Sequence, residues 1–230
     1  MTLITLIRHG QASFGATNYD QLSPRGYEQA RFLGELFAGQ QQTFDQAWMG
    51  EMARHQQTAD HCLNAAGLIL NPAVHQGLNE FDHEQVLMNL DTARYPTKEA
   101  LIQAIAATDH PKKTLGKLFG EAMQRWQCGE YDCDYSETWQ QFQVRCVTAL
   151  NDIVAQSTTK HSVVFSSGGV ISVMVQNLLG LDNRATFELN WALINCGVTR
   201  IRSENGKHTV LSINEQQHFY GQHSDLLTWH

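Results

Sequence analysis

Six residues of this 230-residue chain carry groups that can transfer a phosphoryl group, and each lies at or shortly after the end of a short apolar segment. They are Arg8, His9, Arg54, Glu80, Ser167 and Gly168. Two guanidinium groups match the oxygens of a phosphoryl group and stay protonated at any working pH. A neutral imidazole can attack phosphorus and carry the phosphoryl group as a covalent intermediate. The residue types therefore favour phosphoryl transfer through a histidine.

The remaining groups supply proton transfer and close backbone contacts. The Glu80 carboxyl group can protonate a departing alkoxide and then deprotonate the water that hydrolyses a phosphohistidine. Gly10 and Gly168 stand beside two of the segment ends, where backbone N–H groups without a neighbouring Cβ can approach an anion closely. Phosphoryl transfer consists largely of positioning and charge stabilisation, so we expect this set to work without a metal ion or another cofactor.

These groups can meet only if the segment ends are brought to one place by the fold. Four apolar runs are typical of buried strands: 3–7, 44–49, 73–75 and 161–166. Helical patterns alternate with them, over 24–37, 53–66 and 168–179. Ser23 and Pro24 are typical of the cap and first position of the first helix. The alternation predicts an α/β fold, a doubly wound and mostly parallel sheet, whose ligands bind beyond the carboxyl ends of the strands.

Residues 81–158 show no convincing strand pattern. Helical stripes occupy three stretches there, about 98–107, 114–127 and 137–156. Ser136 is the predicted cap of the third helix. We therefore predict a single domain, residues 1–230, in which 81–158 form a helical insertion over the carboxyl ends of the strands. Insertions in that position commonly set specificity, but these helices contain no motif that identifies a substrate.

The last part of the chain is predicted to complete the sheet. Residues 191–201 and 207–213 have strand patterns. Between them, Glu204-Asn205-Gly206 is typical of a hairpin turn.

Several segments, in order along the chain, resemble the histidine phosphatase superfamily, also called phosphoglycerate mutase-like. They are Arg8-His9-Gly10, Leu22 to Gly26, the ARHQQTA segment 53–59, Leu78-Asn79-Glu80, Ser167 to Ile171, and Asn195 to Val198. The resemblance implies that fold, a nucleophilic His9 flanked by phosphate-binding Arg8 and Arg54, and Glu80 as the acid and base. A three-residue motif alone is weak, but an ordered series of matches is specific.

The chain departs from the family pattern at one position. Where the family usually carries a second histidine that contacts the phosphate, this chain has Ser167. A serine hydroxyl donates one hydrogen bond but brings no positive charge, and losing one such group typically lowers the rate by about a hundred- to a thousandfold. The resemblance therefore implies a working but slow site, in which Ser167 and the Gly168 N–H take over the contact. His83 is the alternative replacement for the missing histidine.

Other assignments stay open at this point. Asp82 and Glu84 are alternatives to Glu80, and Arg25 either supports the phosphate site or is a solvated charge on a helix surface. Residues 11–15 and 79–83 do not resemble the mutase branch of the family, so a phosphatase is favoured over a phosphoglycerate mutase. A phospho-ligand-binding or regulatory module with weakened catalysis is the alternative from another functional class.

Composition limits the partners. The formal net charge of -7 argues against a nucleic-acid binder, although a few convergent arginines can still bind a small anion. We expect a small phosphorylated substrate and inorganic phosphate as product, while the oligomeric state stays open. No apolar stretch approaches membrane-spanning length, so we expect no membrane partner and a cytoplasmic location.

Cysteine usage agrees with that location. The five cysteines are odd in number and lack CxxC spacing, which is typical of reduced thiols. Cys128 and Cys133 form only a weak metal signal, because no second pair accompanies them.

Overall fold

The computed structural model describes residues 1–13, 20–157 and 161–229, except the side chain of Gln222. Part of the mutase comparison, Phe14 and Gly15, lies outside these residues. In chain order the elements are β1 (Thr2–Arg8), α1 (Pro24–Gly39), β2 (Gln46–Met49), α2 (Ala53–Ala65), β3 (Ala73–Val74), α3 (His83–Met88), α4 (Lys98–Ala106), α5 (Pro111–Gln127), α6 (Trp139–Gln156), β4 (His161–Ser166), α7 (Gly168–Leu179), α8 (Asn183–Ala192), β5 (Val198–Glu204) and β6 (Lys207–Glu215).

The strands form one six-stranded sheet in the order β3-β2-β4-β1-β5-β6. The first four strands of that order pair in parallel, while β5 and β6 are antiparallel to their neighbours. The register places Arg8 beside Ser166, so the carboxyl ends of β1 and β4 are level. The predicted fold class, an α/β fold with a mostly parallel sheet, is confirmed. Helix α1 begins at Pro24, directly after its cap Ser23. Helix α2 begins at Ala53, shortly after the end of β2.

The chain divides into two compact units, one formed by Met1–Glu80 with Arg145–His230 and the other by Phe81–Val144. Helix α6 therefore contributes to both units. The second unit has an aromatic core of its own around Trp126. The Trp126 ring centroid lies 5.0 Å from that of Phe81, 5.1 Å from that of Trp139 and 5.7 Å from that of Phe142. Such separations are typical of favourable aromatic pairs in protein interiors.

Two local predictions are wrong. The predicted cap Ser136 does not cap α6, because its hydroxyl donates to Gln85 Oε1. Thr138 takes that role: its Oγ1 accepts from the Gln141 N–H at 3.2 Å, and Gln141 Oε1 accepts from the Thr138 N–H at 2.8 Å. This reciprocal pair is a capping box, two residues later than the sequence prediction.

The strand predicted from residue 191 begins only at Val198. Trp191 instead lies in α8, a helix that the sequence analysis did not predict. The Asp182 side chain caps the start of this helix, because it accepts from the Ala185 N–H at 2.7 Å. The predicted hairpin is confirmed. Asn205 and Gly206 both have positive φ, 51° and 75°, as a two-residue turn of the right twist requires.

A chain of buried hydrogen bonds connects α1 and the C-terminal segment to the end of β1. Gln29 is fully buried, and its Oε1 accepts from the Gln11 N–H at 2.8 Å. Its Nε2 donates to Thr228 Oγ1 at 2.7 Å, and the Thr228 hydroxyl donates to Asn195 Oδ1 at 2.8 Å. Asn195 Nδ2 in turn donates to the His9 carbonyl oxygen at 3.1 Å. This network connects the His9 carbonyl oxygen to α1 and to the C-terminal segment.

Replacing Gln29 with Leu should destabilise the fold. The substitution removes the donor that Gln29 Nε2 supplies to the Leu226 carbonyl oxygen, a buried hydrogen bond of 2.6 Å, and an unsatisfied buried polar group costs about 1–3 kcal/mol. Urea unfolding would measure the loss, with Glu28→Leu as the matched control on the exposed face of the same helix, where about 0.5 kcal/mol or less is expected. Equal stabilities of Gln29→Leu and Glu28→Leu would contradict this role.

His161 should make the fold sensitive to acid. Burial is the main cause that lowers its pKa to about 4, and the positive charge of Arg200 lowers it further. Between pH 4 and the unfolded value of about 6.5 the unfolded chain binds the proton that the folded chain refuses. The stabilising contribution of the neutral ring is therefore complete above about pH 6.5 and is lost as the pH falls towards 4. Urea unfolding at several pH values should show a shallower acid loss in His161→Gln, and identical pH dependence in both proteins would refute this.

Candidate active site

The His9 ring is buried, 6% exposed, and contacts hydrogen-bonding groups at both nitrogens. Nδ1 lies 2.7 Å from the Gly10 carbonyl oxygen, and Arg54 Nε donates to Nε2 at 3.2 Å. A carbonyl oxygen only accepts, so Nδ1 carries the hydrogen and Nε2 keeps its lone pair. Nε2 is therefore the unprotonated nitrogen of this ring.

The surroundings of His9 keep it neutral. Burial is the main cause that lowers its pKa well below the usual histidine value. The positive charges of Arg54 and Arg8 lower it further, and so does the neighbouring His55. A neutral ring is the form that can attack phosphorus, because protonation would occupy the Nε2 lone pair.

Arg54 occupies the first turn of α2 and is 4% exposed. Its Nη1 donates to Asp20 Oδ1 at 2.7 Å, while Asp20 Oδ2 accepts from the Ala53 N–H at 2.8 Å. One carboxylate thus satisfies the start of α2 and fixes the guanidinium that faces His9. Sequence reasoning missed Asp20, because nothing in its local pattern connects it to a helix 33 residues later.

Arg8 and Gly168 lie side by side. Arg8 Nη1 donates to the Leu193 carbonyl oxygen. A Cβ atom at Gly168 would lie 3.4 Å from Arg8 Nε and 2.5 Å from Asn190 Oδ1, so the glycine lets both side chains approach the backbone closely. The Arg8 guanidinium therefore lies beside the first residue of α7.

Glu80 lies at the start of the same helix. Its Oε2 accepts from the Gly169 N–H at 3.0 Å, a favourable place for a carboxylate because a helix N-terminus carries partial positive charge. Arg145 fixes the segment before it, since its Nη1 donates to the Asn79 carbonyl oxygen at 2.7 Å and to that of Gly77 at 3.3 Å. Ser166 Oγ donates to the Leu78 carbonyl oxygen at 2.7 Å.

The alternatives to these residues have other contacts. Asp82 accepts from the Gln85 N–H and caps α3, and Glu84 forms an ion pair with Lys98 at 2.6 Å, both within the second unit. His83 is the first residue of α3. Arg25 is exposed on α1, as expected of a solvated helix-surface charge.

Ser167 is fully buried, and its Oγ lies 2.7 Å from Nε2 of His55. His55 is itself fully buried on α2, and its ring centroid lies 5.7 Å from that of His9. Sequence reasoning did not single out His55. The available signal was its place directly after Arg54 in the ARHQQTA segment, but only the fold reveals that residues 55 and 167 meet.

A continuous series of contacts thus joins the six residues expected from the sequence. Arg54 contacts His9, the His9 and His55 rings are neighbours, and His55 contacts Ser167. Ser167 precedes Gly168, which packs against Arg8, and Gly169 binds Glu80. The structure therefore brings an imidazole, two guanidinium groups, a hydroxyl and a carboxyl group to the ends of β1 and β4 and the start of α2.

Within 1–13, 20–157 and 161–229, no group of three or more His, Cys, Asp or Glu side chains could hold a metal ion. No disulfide joins the cysteines within these described residues; Cys128 and Cys133 are exposed and the other three are buried. No helix in this described part of the chain is long and apolar enough to cross a membrane.

Known proteins share this fold. The TM-score is 0.66 with a mutant phosphoserine phosphatase from Entamoeba histolytica in complex with phosphoserine, at 21% identity over 95% of this chain and 99% of that one. It is 0.64 with the alpha-ribazole phosphatase from Shigella flexneri, at 20% identity over 93% and 96% of the two chains. It is 0.63 with a phosphoglycerate mutase from Bacillus anthracis str. Sterne, at 17% identity over 94% of each.

Comparison with known sequences identifies the family to which this chain belongs. A 2,3-bisphosphoglycerate-dependent phosphoglycerate mutase of Azorhizobium caulinodans is 33% identical over 100 residues, which are 40% of this chain and about half, 48%, of that relative. The family model described as histidine phosphatase superfamily (branch 1) matches residues 4–127 and 102–216, which together are most of the chain. The Arg8-His9 motif, the six-stranded sheet and this match lead to one conclusion: the protein belongs to the histidine phosphatase superfamily.

Proposed function

We propose that this protein is a phosphatase that hydrolyses a small phosphorylated substrate through a phosphohistidine on His9, without a metal ion or other cofactor. The observation that carries the proposal is the state of the His9 ring. Nδ1 donates to the Gly10 carbonyl oxygen, so Nε2 is the unprotonated nitrogen, and it lies 3.2 Å from Arg54 Nε. We also propose that residues 1–230 form one phosphatase domain, with 81–158 as an insertion.

In the first step His9 Nε2 attacks phosphorus and the P–O bond to the leaving group breaks. The departing oxygen keeps the electron pair of that bond and takes a proton from the Glu80 carboxyl group. Arg8, Arg54 and the N-terminus of α7 stabilise the charge on the phosphoryl oxygens. The products of this step are the free alcohol and the phosphohistidine.

In the second step the Glu80 carboxylate removes a proton from water, and the water oxygen attacks phosphorus. The bond between phosphorus and Nε2 breaks, its electron pair returns to the imidazole, and inorganic phosphate leaves. His9 is again neutral and Glu80 again protonated, so the cycle closes without another reactant. The phosphoserine and alpha-ribazole phosphatases of the same fold support hydrolysis, and the weak similarity to a mutase leaves transfer within one molecule as a measurable alternative.

His9→Ala should abolish turnover of p-nitrophenyl phosphate, because it removes the only proposed nucleophile. The parent should accumulate an acid-labile phosphoryl label when it is quenched during turnover of a radiolabelled substrate, and the variant should not. His61→Ala, at an exposed histidine of α2, is the matched control and should keep both properties. Phosphate binding without turnover in the parent would favour the binding module instead.

Glu80→Gln should slow the hydrolysis of alkyl phosphates more than that of p-nitrophenyl phosphate, by about 100-fold or more, because an alkoxide needs a proton to leave and p-nitrophenolate does not. The measurement is kcat/KM for the two substrates in each variant. Asp82→Asn and Glu84→Gln are the controls. If either of them, rather than Glu80→Gln, shows this leaving-group dependence, the assignment of the acid is wrong.

A further inference from the structure

A buried histidine–serine pair lies beside the nucleophile and has no place in the two steps above. His55 and Ser167 are both fully buried, and His55 Nε2 lies 2.7 Å from Ser167 Oγ. They belong to different elements, α2 and the junction of β4 with α7, 112 residues apart in sequence. The pair therefore connects the helix that carries Arg54 to the strand end that lies level with Arg8.

The hydrogen of this pair can be placed from the burial of the second ring nitrogen. His55 Nδ1 is buried and has no hydrogen-bond partner among the described residues. Its ring packs against the Gly50 backbone, where a Cβ atom would lie only 2.4 Å from Nδ1. An orphaned buried N–H is rarer and costlier than an acceptor without a partner, so Nε2 carries the hydrogen and donates it to Ser167.

This arrangement leaves the Ser167 hydroxyl hydrogen for another acceptor. A hydroxyl has one hydrogen to donate, and its oxygen already accepts from His55 Nε2. Ser167 Oγ makes no other hydrogen bond among the described residues. The His55 ring is also a neighbour of the His9 ring, and the His9 backbone N–H donates to the Ser166 carbonyl oxygen at 2.9 Å, so His9 and Ser167 lie at adjacent strand ends.

We propose that Ser167 donates its hydroxyl hydrogen to an oxygen of the phosphoryl group on His9, and that His55 is the positioning residue that holds this hydroxyl in the donating orientation. The pair thereby supplies the contact that the family resemblance assigns to a second histidine, at the position where this chain has Ser167. This inference rests on the proposed function and assigns to that site a residue, His55, from a different segment of the chain.

The contribution of His55 is a hydrogen bond rather than a charge. Burial is the main cause that lowers its pKa well below the usual value, and the positive charge of Arg54 lowers it further. The ring is therefore neutral at neutral pH, and a neutral side chain with a donor in the same place can replace it. Gln offers such a donor through Nε2, whereas Phe fills a similar volume without one.

The experiment is a double-mutant cycle on kcat and KM for p-nitrophenyl phosphate with the full chain. Ser167→Ala should lower kcat by about a hundredfold, the usual effect of losing one donor to the transition state. His55→Phe should lower kcat at least about tenfold, and the double variant should be no slower than Ser167→Ala, because His55 acts only through the hydroxyl. His55→Gln should stay within about threefold of the parent.

Three outcomes would overturn the inference. Additive losses in the double variant would mean that His55 acts without Ser167. Failure of His55→Gln to restore kcat would mean that the ring has only a packing role, and urea unfolding of each variant would reveal a purely structural defect. An unchanged kcat in Ser167→Ala would mean that the hydroxyl does not touch the phosphoryl group.

Binding of inorganic phosphate separates this inference from the proposed function. Calorimetric titration of the parent and the four variants needs no turnover. If the parent is inactive, the proposed function fails, but removing His55 or Ser167 should still weaken phosphate binding. The loss in the double variant should be smaller than the sum of the two single losses. Unchanged phosphate binding in both Ser167→Ala and His55→Phe would overturn the inference even in an active enzyme.

Discussion

The short contact between His9 Nδ1 and the Gly10 carbonyl oxygen decides which ring nitrogen can react. The Arg54 guanidinium faces the nitrogen that this contact leaves unprotonated. The loop keeps its shape through Thr58, whose Oγ1 accepts from the Gly10 N–H at 3.0 Å and donates to the Arg54 carbonyl oxygen at 2.7 Å. One residue of α2, Thr58, thus connects the loop that carries His9 to the helix that carries Arg54.

The electrostatics of the site oppose those of the whole chain. The net charge is -7, yet two arginines and the N-terminus of α7 surround a neutral imidazole. A buried arginine needs a partner, and Arg54 has one in Asp20, whose carboxylate also serves the start of α2. A local cationic field can therefore exist in an acidic protein, because it depends on a few fixed groups at short range rather than on the sum of all charges.

Much of this fold could be predicted where the signal is local. The Ser23 cap and Pro24 fix the start of α1 through residues within one turn, and the apolar run of β1 is visible by itself. The end of α8 was wrongly predicted as a strand, because Trp191 suits a strand as well as a helix. The only local signal for the helix is its cap, Asp182, nine residues earlier. Asp20 and His55 escaped prediction for another reason: their partners are 34 and 112 residues away, and no periodicity encodes such pairs.

The bare backbone at Gly50 constrains how this family member can vary. Because residue 50 has no Cβ, the ring at position 55 can occupy the space above it, only 2.4 Å from where that atom would be. A Cβ atom at position 50 would therefore require the ring at position 55 to move. Positions 50, 55 and 167 should therefore change together among homologues. A side chain at position 50 would displace the imidazole at position 55, and Ser167 would then lose the hydrogen bond that positions its hydroxyl.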